Sequence, residues 1–564
     1  MTPSTHFTAG NTPDAPRSDL PGLLGTLASD LNAIGYTVEG VAGLLGAAAH
    51  SALGRDQLIP ALAVTEAAAG GEPTTAALAA VVRLWLLAEP QQGVTLDAAL
   101  PGIRTDGLLE LGLVERSADG LVQAKVDLRP YGWDGAAATG EAGKGAAATD
   151  TAATDTAAMD TGGGGADLWV ASDLAAHQRP GVLRHDHVLG IGQASATLVQ
   201  VTARRHVARA LDLGTGCGIQ SFHLLHHAGH VTATDISERA LAFTRFNLLL
   251  NAAELGLDPA DLEVRVSLRL GSMLEPVAGE EFELVVSNPP FVITPRSAGE
   301  AAADQFTYRD GGLPGDEIVA SLVGALPSVL APGGTAQLLG NWEIPAGTPW
   351  AERPRSWAGP DVDVWFIQRE QVGPEQYAET WLQDASESRD RRLYQDSYAA
   401  YLADFASRRV EGIGFGMVWL RRPAEGSGVV ISRFEEITYP IEQPVGPHLG
   451  AAVERADWLA AHDLAAAHLL VAEDVTEERH QRPGAEHPGV ILLRQGAGLR
   501  RTNLLSTELA GFVSACDGEL SVAQIIGALE ALLGGGEDFD AGAFRVGLLG
   551  DVGNLVHEGF LLPA

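Results

Sequence analysis

Residues 210–218 read Ala-Leu-Asp-Leu-Gly-Thr-Gly-Cys-Gly, an apolar run that passes directly into three alternating glycines. The apolar residues predict a buried parallel strand, and the glycines predict a tight turn into a helix over residues 219–227. Glycine permits positive φ and lets a ligand contact bare backbone. Many nucleotide-binding folds share this pattern, so the stretch by itself predicts a ligand site at the end of a strand.

A second apolar strand follows at residues 231–234 and ends at Asp235. A carboxylate at this strand end predicts a site for a ribose diol, which it would hold by two hydrogen bonds. Asp212 lies near the end of the first strand in the same way. Its carboxylate predicts either a turn cap or a partner for a bound ammonium group, directly or through water.

A third strand runs into residues 285–293, Val-Val-Ser-Asn-Pro-Pro-Phe-Val-Ile. The side chain of Asn288 both accepts and donates hydrogen bonds, and Pro289 and Pro290 fix the backbone beyond it. Phe291 follows and would stack on a planar group. The combination predicts a pocket for a planar NH2 group, from an amide or a nucleobase, and hence methyl transfer to nitrogen. The alternatives are a turn-forming Asn288 and a Phe291 that belongs to the core.

Together these residues resemble the class I methyltransferases that use S-adenosylmethionine, in the branch with an Asn-Pro-Pro-aromatic signature. The runs LDLGTGCGI, TDISERAL and VVSNPPF are most similar to the HemK-type protein-glutamine N5-methyltransferases. Residues 308–317 are similar to the Gly-Gly loop and helix start of the eukaryotic and archaeal members. The resemblance covers about residues 185–340, well under half of the chain.

The resemblance implies S-adenosylmethionine as cofactor and a set of contact residues in the glycine loop, at the strand ends and in the signature. Ser272 stands where relatives often have an Asp that receives the adenine amino group, and Met273 would flank the adenine. Residues 186–195 would lie over the cofactor, although they lack the Pro-rich or acidic motif of the relatives. The expected cofactor contacts are Asp212, Gly214, Thr215, Gly216, Cys217, Gly218, Asp235, Ile236, Ser272, Met273 and Asn288, and the expected catalytic residues are Asn288, Pro289 and Phe291.

The implied fold is a doubly wound, Rossmann-like α/β domain with seven strands, of which the last two form an antiparallel hairpin. The sequence adds a helix over residues 318–330, a turn at 331–334 and strands at 335–340, 362–368 and 412–420. Ligands bind at the carboxyl ends of the strands in such a sheet.

Four histidines and one cysteine, residue types that can bind metal ions, occur near the glycine loop. Four histidines have spacings typical of one helix face, which is an arrangement that can hold a metal ion: His223, His226, His227 and His230. No cysteine or carboxylate completes the set, and the last histidine falls at the start of the next strand, so no metal site is predicted. Cys217 is expected to be a small contact residue, with a low-pKa thiol near a helix N-terminus as the alternative.

Composition limits the class of protein. A chain of 564 residues with 46% hydrophobic residues predicts about three compact units with ample cores. The sequence has no apolar stretch of about 18 residues, and residues 1–20 are mostly polar, so we expect neither a membrane span nor a secretory signal. The only cysteines, Cys217 and Cys516, exclude a disulfide framework and most structural zinc sites. These features predict a cytoplasmic enzyme.

The net charge is −35, from 37 Lys and Arg against 72 Asp and Glu. Proteins that act on RNA or DNA usually display a basic stripe that neutralises phosphates. The charge therefore favours a protein partner over a nucleic acid without excluding the latter.

Pattern and composition divide the chain into four predicted parts. Residues 1–133 are a helical domain with a winged-helix-like ending, and residues 134–166 are a flexible low-complexity linker. Residues 167–425 are the methyltransferase domain, and residues 426–564 are an accessory domain that is also winged-helix-like. A wing can bind nucleic acid or protein, or it can simply pack against the catalytic domain.

The sequence thus predicts an S-adenosylmethionine-dependent N-methyltransferase that acts on a protein glutamine side chain, with a release-factor-like protein as substrate. The alternative is methylation of an exocyclic amine in RNA or DNA, at guanine N2 or adenine N6. A non-catalytic cofactor-binding adaptor is disfavoured, because nearly every expected group is present. The identity of the acceptor, including a small metabolite, the role of the flanking domains and the oligomeric state stay open.

Overall fold

The parallel strands predicted from the glycine loop and its neighbours belong to the first of two structural units. The computed structural model describes residues 7, 12–55, 57–133, 166–175, 178, 184–296, 312–384, 391–534 and 539–564. Residues 1–199 with 205–427 form the first unit, and residues 200–204 with 428–564 form the second. The predicted linker lies outside the described residues except for Ala166, and the predicted four-part division stays a prediction.

The N-terminal part of the first unit is mainly helical. Proline occupies the first turn of three of its helices, where a missing N–H costs nothing, and the Thr37 hydroxyl caps another by accepting a hydrogen bond from Gly40 N. The helices are α1 (Pro21–Ala33), α2 (Val38–Leu53), α3 (Ile59–Ala68), α4 (Pro73–Trp85), α5 (Gly93–Ala99) and α6 (Arg104–Glu110).

Two antiparallel pairs follow these helices. Strands β1 (Val114–Arg116) and β2 (Val122–Ala124) form a short hairpin directly after α6. The winged-helix assignment of this flank stays a prediction. Strand β3 (Val126–Trp133) pairs with β4 (Ala166–Asp173), and we call this pair the β3–β4 ribbon.

The rest of the first unit alternates strands and helices. The strands are β5 (Val207–Leu213), β6 (Ala228–Asp235), β7 (Val266–Leu270), β8 (Phe282–Ser287), β9 (Leu330–Pro345), β10 (Asp363–Val372) and β11 (Val410–Arg421). The helices are α7 (Gln193–Val201), α8 (Ile219–Leu224), α9 (Glu238–Leu250), α10 (Glu317–Ala325), α11 (Glu352–Arg355), α12 (Pro374–Asp384) and α13 (Arg391–Ser407).

Within the described part of this unit, these seven strands lie side by side in the order β10-β11-β9-β8-β5-β6-β7. The pairs from β9 through β7 are parallel, while β11 is antiparallel to both β9 and β10. The strand order reverses between β5 and β8, the position at which doubly wound sheets open a crevice for ligands. The predicted α/β fold with a final antiparallel hairpin is confirmed.

Three local predictions were wrong: the ends of two helices and the assignment of one turn. Helix α8 ends at Leu224 instead of residue 227, because pairing with β5 already begins at Ala228. Helix α10 ends at Ala325, since Pro327 lacks an N–H and forces a short 3-10 turn. The predicted turn at residues 331–334 is instead a bulge inside β9. Leu330 and Thr335 there pair with Phe282 and Leu284, and Gly333 has a φ of 76°.

Asn247 in α9 and Asn251, which caps the end of α9, fasten the β3–β4 ribbon to this helix and to the glycine loop. Asn251 accepts a hydrogen bond from Trp169 N at 2.8 Å and donates to Trp169 O at 2.7 Å. Asn247 accepts from Ala171 N at 2.8 Å and donates to both Ala171 O and Cys217 O at 2.9 Å. Both side chains are buried, so β4 has a fixed register against α9 and the glycine loop.

The second unit has its own hydrophobic core, centred on Phe512, Val552, Leu555, Val556 and Phe560. Its helices are α14 (Gly446–Ala461), α15 (Thr507–Ser514), α16 (Val522–Leu533) and α17 (Ala541–Glu558). Its strands are β12 (Ser432–Glu436), β13 (His468–Val471), β14 (Val475–His480), β15 (Val490–Gln495), β16 (Thr502–Leu505), β17 (Asp517–Ser521) and β18 (Leu561–Pro563).

The ends of two helices in this unit follow from their sequence. Ser521 and Gln524 form a capping box at the start of α16, and Gly559 ends α17 in the left-handed conformation at a φ of 87°. Strands β17-β13-β18 and β14-β15-β16 form two small antiparallel sheets. The winged-helix assignment of this unit also stays a prediction. Within the described part of the chain, no helix is both long enough and apolar enough to span a bilayer.

Candidate active site

The glycine loop between β5 and α8 lies at one wall of a cavity of about 760 Å³. Gly214, Gly216 and Gly218 have φ values of 75°, 58° and 94°, which side chains with a Cβ rarely adopt. A Cβ at Gly214 or Gly216 would meet nothing within 4 Å, whereas one at Gly218 would lie 3.1 Å from Thr244 Cγ2. The first two glycines therefore leave bare backbone facing open space, and the third permits close packing of α9.

Asp235 ends β6 beside this loop and also lines the cavity. Its Oδ2 accepts a hydrogen bond from Gly216 N at 3.0 Å, and its Oδ1 accepts one from Ser237 N at 2.8 Å. Burial raises the pKa of Asp235, and the backbone hydrogen bonds counteract this shift. Each oxygen keeps a lone pair for a hydroxyl donor, and Ile236 presents an apolar side chain that is 59% exposed.

Ser272 and Met273, which follow β7, line the same cavity. Gly271 lies against the next turn so closely that a Cβ there would be 2.5 Å from Pro276 Cγ. Met273 has a φ of 50°, an uncommon conformation for a non-glycine residue. A tight, strained turn therefore holds a hydroxyl and a thioether side chain at the cavity wall.

Asn288 follows the last residue of β8. Ser287 Oγ donates to Leu213 O at 2.8 Å and so joins the ends of β8 and β5. Asn288 and Pro289 line the cavity, and Asn288 Oδ1 is buried without a hydrogen-bond partner among the described residues. Beyond the signature, Ile293 N donates to the Tyr377 hydroxyl at 2.8 Å, which fixes the chain after the two prolines. Phe291 is half-buried and is not one of the residues that line the cavity.

Asp212 lies beneath the loop instead of in the cavity wall. It is 1% exposed, and its Oδ2 accepts hydrogen bonds from the hydroxyls of Thr215 and Ser221, each at 2.7 Å. Gly218 likewise does not line the cavity, whereas Thr215 and Cys217 do. Burial raises the pKa of Cys217 to about 12, so the alternative of a low-pKa thiol is wrong.

The histidine group near α8 has a structural role. The Tyr131 hydroxyl and His223 Nε2 are 2.7 Å apart, and the two rings meet edge to face. His227 Nδ1 lies 3.0 Å from Arg205 O, and His230 Nε2 lies 3.0 Å from Ser267 Oγ. Among the residues that the structure describes, no group of three His, Cys, Asp or Glu side chains could hold a metal ion.

Residues 187–196 line the cavity, and so does Gly312 from the Gly-Gly loop. Predictions for Tyr308, Arg309, Asp310 and Gly311 lie outside the described residues. Sequence reasoning missed a further group of lining residues, which comes from α2 and β3: His50, Asp127, Arg129 and Tyr131. The only sequence signal was the alternation of polar residues at 127, 129 and 131, which is typical of one strand face.

The residues present fit S-adenosylmethionine. Bare glycine backbone, a carboxylate whose oxygens retain acceptor capacity, and an exposed apolar side chain at the strand end occur together in one cavity. Gly214 and Gly216 would contact the cofactor through backbone, Asp235 would hold the ribose hydroxyls, and Ile236 and Met273 would flank the adenine.

The buried carboxyl of Asp212 gives a test of this arrangement. Burial raises the pKa of Asp212 from 3.8 to about 6, although two hydroxyls donate to it. A carboxyl whose pKa is higher in the folded than in the unfolded state costs stability above the folded pKa and costs nothing below the unfolded one. Because both hydroxyls donate to one oxygen, Asp212→Asn keeps these bonds.

We therefore expect Asp212→Asn to raise the free energy of unfolding by up to about 3 kcal/mol at pH 7.5, with the gain shrinking as the pH falls through 6 towards 4. Urea unfolding at pH 5 and 7.5, without cofactor, measures the change. Asp261→Asn, at an exposed position, is the control. An equal effect of Asp212→Asn at both pH values would show that the carboxyl is ionised across the range.

Two families match parts of the chain. Residues 33–125 match a domain of unknown function (DUF7059), and residues 173–307 match the methyltransferase small domain. The second match contains β5 to β8 with the glycine loop, Asp235 and the Asn288 signature.

Three named relatives illustrate the similarity. The ribosomal protein uL3 glutamine methyltransferase of Bradyrhizobium diazoefficiens is 32% identical over 159 residues, which are 27% of this chain and 46% of that protein. The release factor glutamine methyltransferase of Geobacter sulfurreducens is 32% identical over 165 residues, 28% and 51% of the two chains. The ribosomal RNA small subunit methyltransferase C of Alcanivorax borkumensis is 27% identical over 184 residues, 32% and 46%.

The chain spans about half the length of these curated relatives. The match to residues 173–307 contains the glycine loop and the asparagine signature described above. Residues 173–307 therefore match the methyltransferase small domain and are similar to the two glutamine methyltransferases named above.

Proposed function

We propose that this protein transfers a methyl group from S-adenosylmethionine to the side-chain amide nitrogen of a glutamine in another protein. One observation carries the proposal. Asn288 Oδ1 is buried, lacks a hydrogen-bond partner among the described residues, and belongs to a side chain that lines the cofactor cavity. A buried acceptor without a donor costs free energy, so a ligand N–H is the expected partner.

When bound, S-adenosylmethionine supplies a methyl group that its sulfonium sulfur already activates. An amide nitrogen is a poor nucleophile, because its lone pair is delocalised into the carbonyl. If Asn288 Oδ1 and the Pro289 carbonyl each accept one N–H of the NH2 group, they orient the nitrogen and favour its pyramidal form. The same two acceptors stabilise positive charge as it develops on nitrogen, before the proton leaves.

The negative net charge and the named relatives support a protein as the methyl acceptor. The net charge of −35 opposes approach of a polyanion, and the cavity wall contains the carboxylates of Asp127, Asp173 and Asp235. Two of the relatives reported above are named as glutamine methyltransferases, one for a ribosomal protein and one for a release factor. We accordingly propose a translation protein of the cytoplasm as the acceptor class.

Methyl transfer can be followed with S-adenosylmethionine that carries a labelled methyl group. We expect label to enter purified bacterial release factor or ribosomal protein uL3, to be released by protease, and to resist nuclease. Mass spectrometry of the digest should find the added methyl group on a glutamine side chain. Label from cell extract that only nuclease removes would contradict the protein acceptor, and cofactor binding without transfer to any fraction would indicate an adaptor.

A second candidate has one observation in its favour. A relative named as a ribosomal RNA methyltransferase is 27% identical over 184 residues, slightly more of this chain than either glutamine methyltransferase covers. An exocyclic guanine or adenine amine is also planar and would suit the same two acceptors. The labelling experiment can be repeated with protein-free ribosomal RNA as the only acceptor. Transfer of label to this RNA would favour the second function over the first.

A further inference from the structure

Part of the cavity wall lies outside both family matches. Asp127 and Arg129 come from β3, between the matches at residues 33–125 and 173–307. With Tyr131 they occupy alternate positions of one strand and so share a face. The Tyr131 hydroxyl has a partner in His223, 2.7 Å away. Asp127 is the member of this face whose bonding is incomplete.

Asp127 is 3% exposed. Its Oδ2 accepts a hydrogen bond from Arg129 Nε at 2.5 Å, which uses one side of the carboxylate. Its Oδ1 is buried and has no hydrogen-bond partner among the described residues. A buried carboxylate oxygen normally receives one or more donors, so a donor from a ligand in the cavity is the natural partner.

The position of Asp127 is set by the β3–β4 ribbon. Asp127 pairs with Ser172 across the ribbon, and β4 is fastened to α9 through Asn247 and Asn251. Asn247 also donates to Cys217 O in the glycine loop. The strand that carries Asp127 is therefore held in place next to the glycine loop, and a ligand in the cavity could bring a donor to the carboxylate.

We propose that Asp127, positioned by Arg129, is a second subsite for the acceptor and binds a main-chain N–H of the peptide that carries the target glutamine. The inference rests on the proposed function, since the glutamine amide itself would occupy the site at Asn288. A peptide has a main-chain N–H close to each side chain. A carboxylate accepts a stronger hydrogen bond from such an N–H than an uncharged acceptor does. A phosphate group would be repelled by the same carboxylate.

Small amides test the two subsites separately. The probes are butyramide, which has only the side-chain amide, and N-acetylglutamine N′-methylamide, which adds two main-chain N–H groups. Analogues methylated at either main-chain nitrogen remove one donor at a time. Ligand-observed NMR with the full chain and S-adenosylhomocysteine gives the affinities of all four compounds.

For the wild-type protein we expect the glutamine derivative to bind about tenfold more tightly than butyramide, and one of the two N-methyl analogues to lose that advantage. Asp127→Asn should weaken the glutamine derivative about tenfold, leave butyramide unchanged, and make the protein insensitive to N-methylation of the probe. Asp167→Asn is the matched control, because Asp167 lies on β4 of the same ribbon but is exposed and outside the cavity.

Three results would overturn the inference. Equal binding of all four amides, unaffected by Asp127→Asn, would remove the second subsite and leave the glutamine function standing. If none of the amides binds, both the second subsite and the proposed glutamine function would be wrong. Binding of guanosine that depends on Asp127, with none by the amides, would assign the carboxylate to a nucleobase edge. The N-methyl series needs only the wild-type chain, so it decides the matter even if Asp127→Asn does not fold.

Discussion

Asn288→Ala is expected to leave the affinity for S-adenosylmethionine within about threefold of wild type and to lower kcat by about a hundredfold to a thousandfold. Asn288 Oδ1 is the buried acceptor that would hold the reacting nitrogen. Its loss removes charge stabilisation made mainly in the transition state, so kcat should fall more than the acceptor KM rises. Isothermal calorimetry for the cofactor and single-turnover transfer of labelled methyl separate the two effects.

Two further variants sharpen this result. Asn288→Asp retains an oxygen acceptor, so it should retain more activity than Asn288→Ala. Asn503→Ala, in the second unit, also removes a half-buried amide, one that donates to Glu558 at 3.1 Å, and it should leave transfer unchanged. Full turnover by Asn288→Ala would show that the asparagine only shapes the turn before Pro289, and the proposed chemistry at this position would be wrong.

Asp235→Ala should weaken S-adenosylmethionine binding by about a hundredfold, with little effect on kcat at saturating cofactor. The carboxylate would hold the ribose hydroxyls by charge-assisted hydrogen bonds, each worth about 1.5–3 kcal/mol. It also fixes the loop, because it accepts from Gly216 N and Ser237 N. Equilibrium binding of S-adenosylhomocysteine, followed by calorimetry, measures the loss without turnover.

The matched control for Asp235 is Asp261→Ala, an exposed carboxylate of the same unit that does not line the cavity. Asp235→Asn should fall between wild type and Asp235→Ala, since an amide oxygen accepts one ribose hydroxyl but carries no charge. If Asp235→Ala binds the cofactor as tightly as wild type, the ribose site lies elsewhere in the cavity.

Local sequence patterns were sufficient to predict the strands of the sheet and the side chains at their carboxyl ends. The glycine loop, Asp235 and Asn288 each follow an apolar strand, and parallel strands bring their ends together. Residue burial was harder to predict. Asp212 is the next-to-last residue of β5, and Asp235 is the last residue of β6. The hydroxyls of Thr215 and Ser221 donate to Asp212, which only the folded turn reveals.

The N-terminal wall of the cavity could not be found from sequence patterns. Asp127 and Tyr131 line the cavity because β3 pairs with β4, although 32 residues separate the two strands in the sequence. Periodicity within a strand does not predict which distant strands will pair. The bulge at residues 331–334 was missed for a related reason. An Ala-Pro-Gly-Gly run predicts a turn, but pairing on both sides of it keeps the chain within β9.

The hydrogen bonds of Asn247 and Asn251 set a lower limit on how far the chain can be shortened. A fragment that begins at residue 173, where the methyltransferase match starts, would lack Trp169 and Ala171. Two buried amides would then lose most of their partners, each at a cost of about 1–3 kcal/mol per unsatisfied group. The smallest catalytic fragment that remains folded should therefore include the whole ribbon, so expression of the matched segment alone is expected to give an aggregated product.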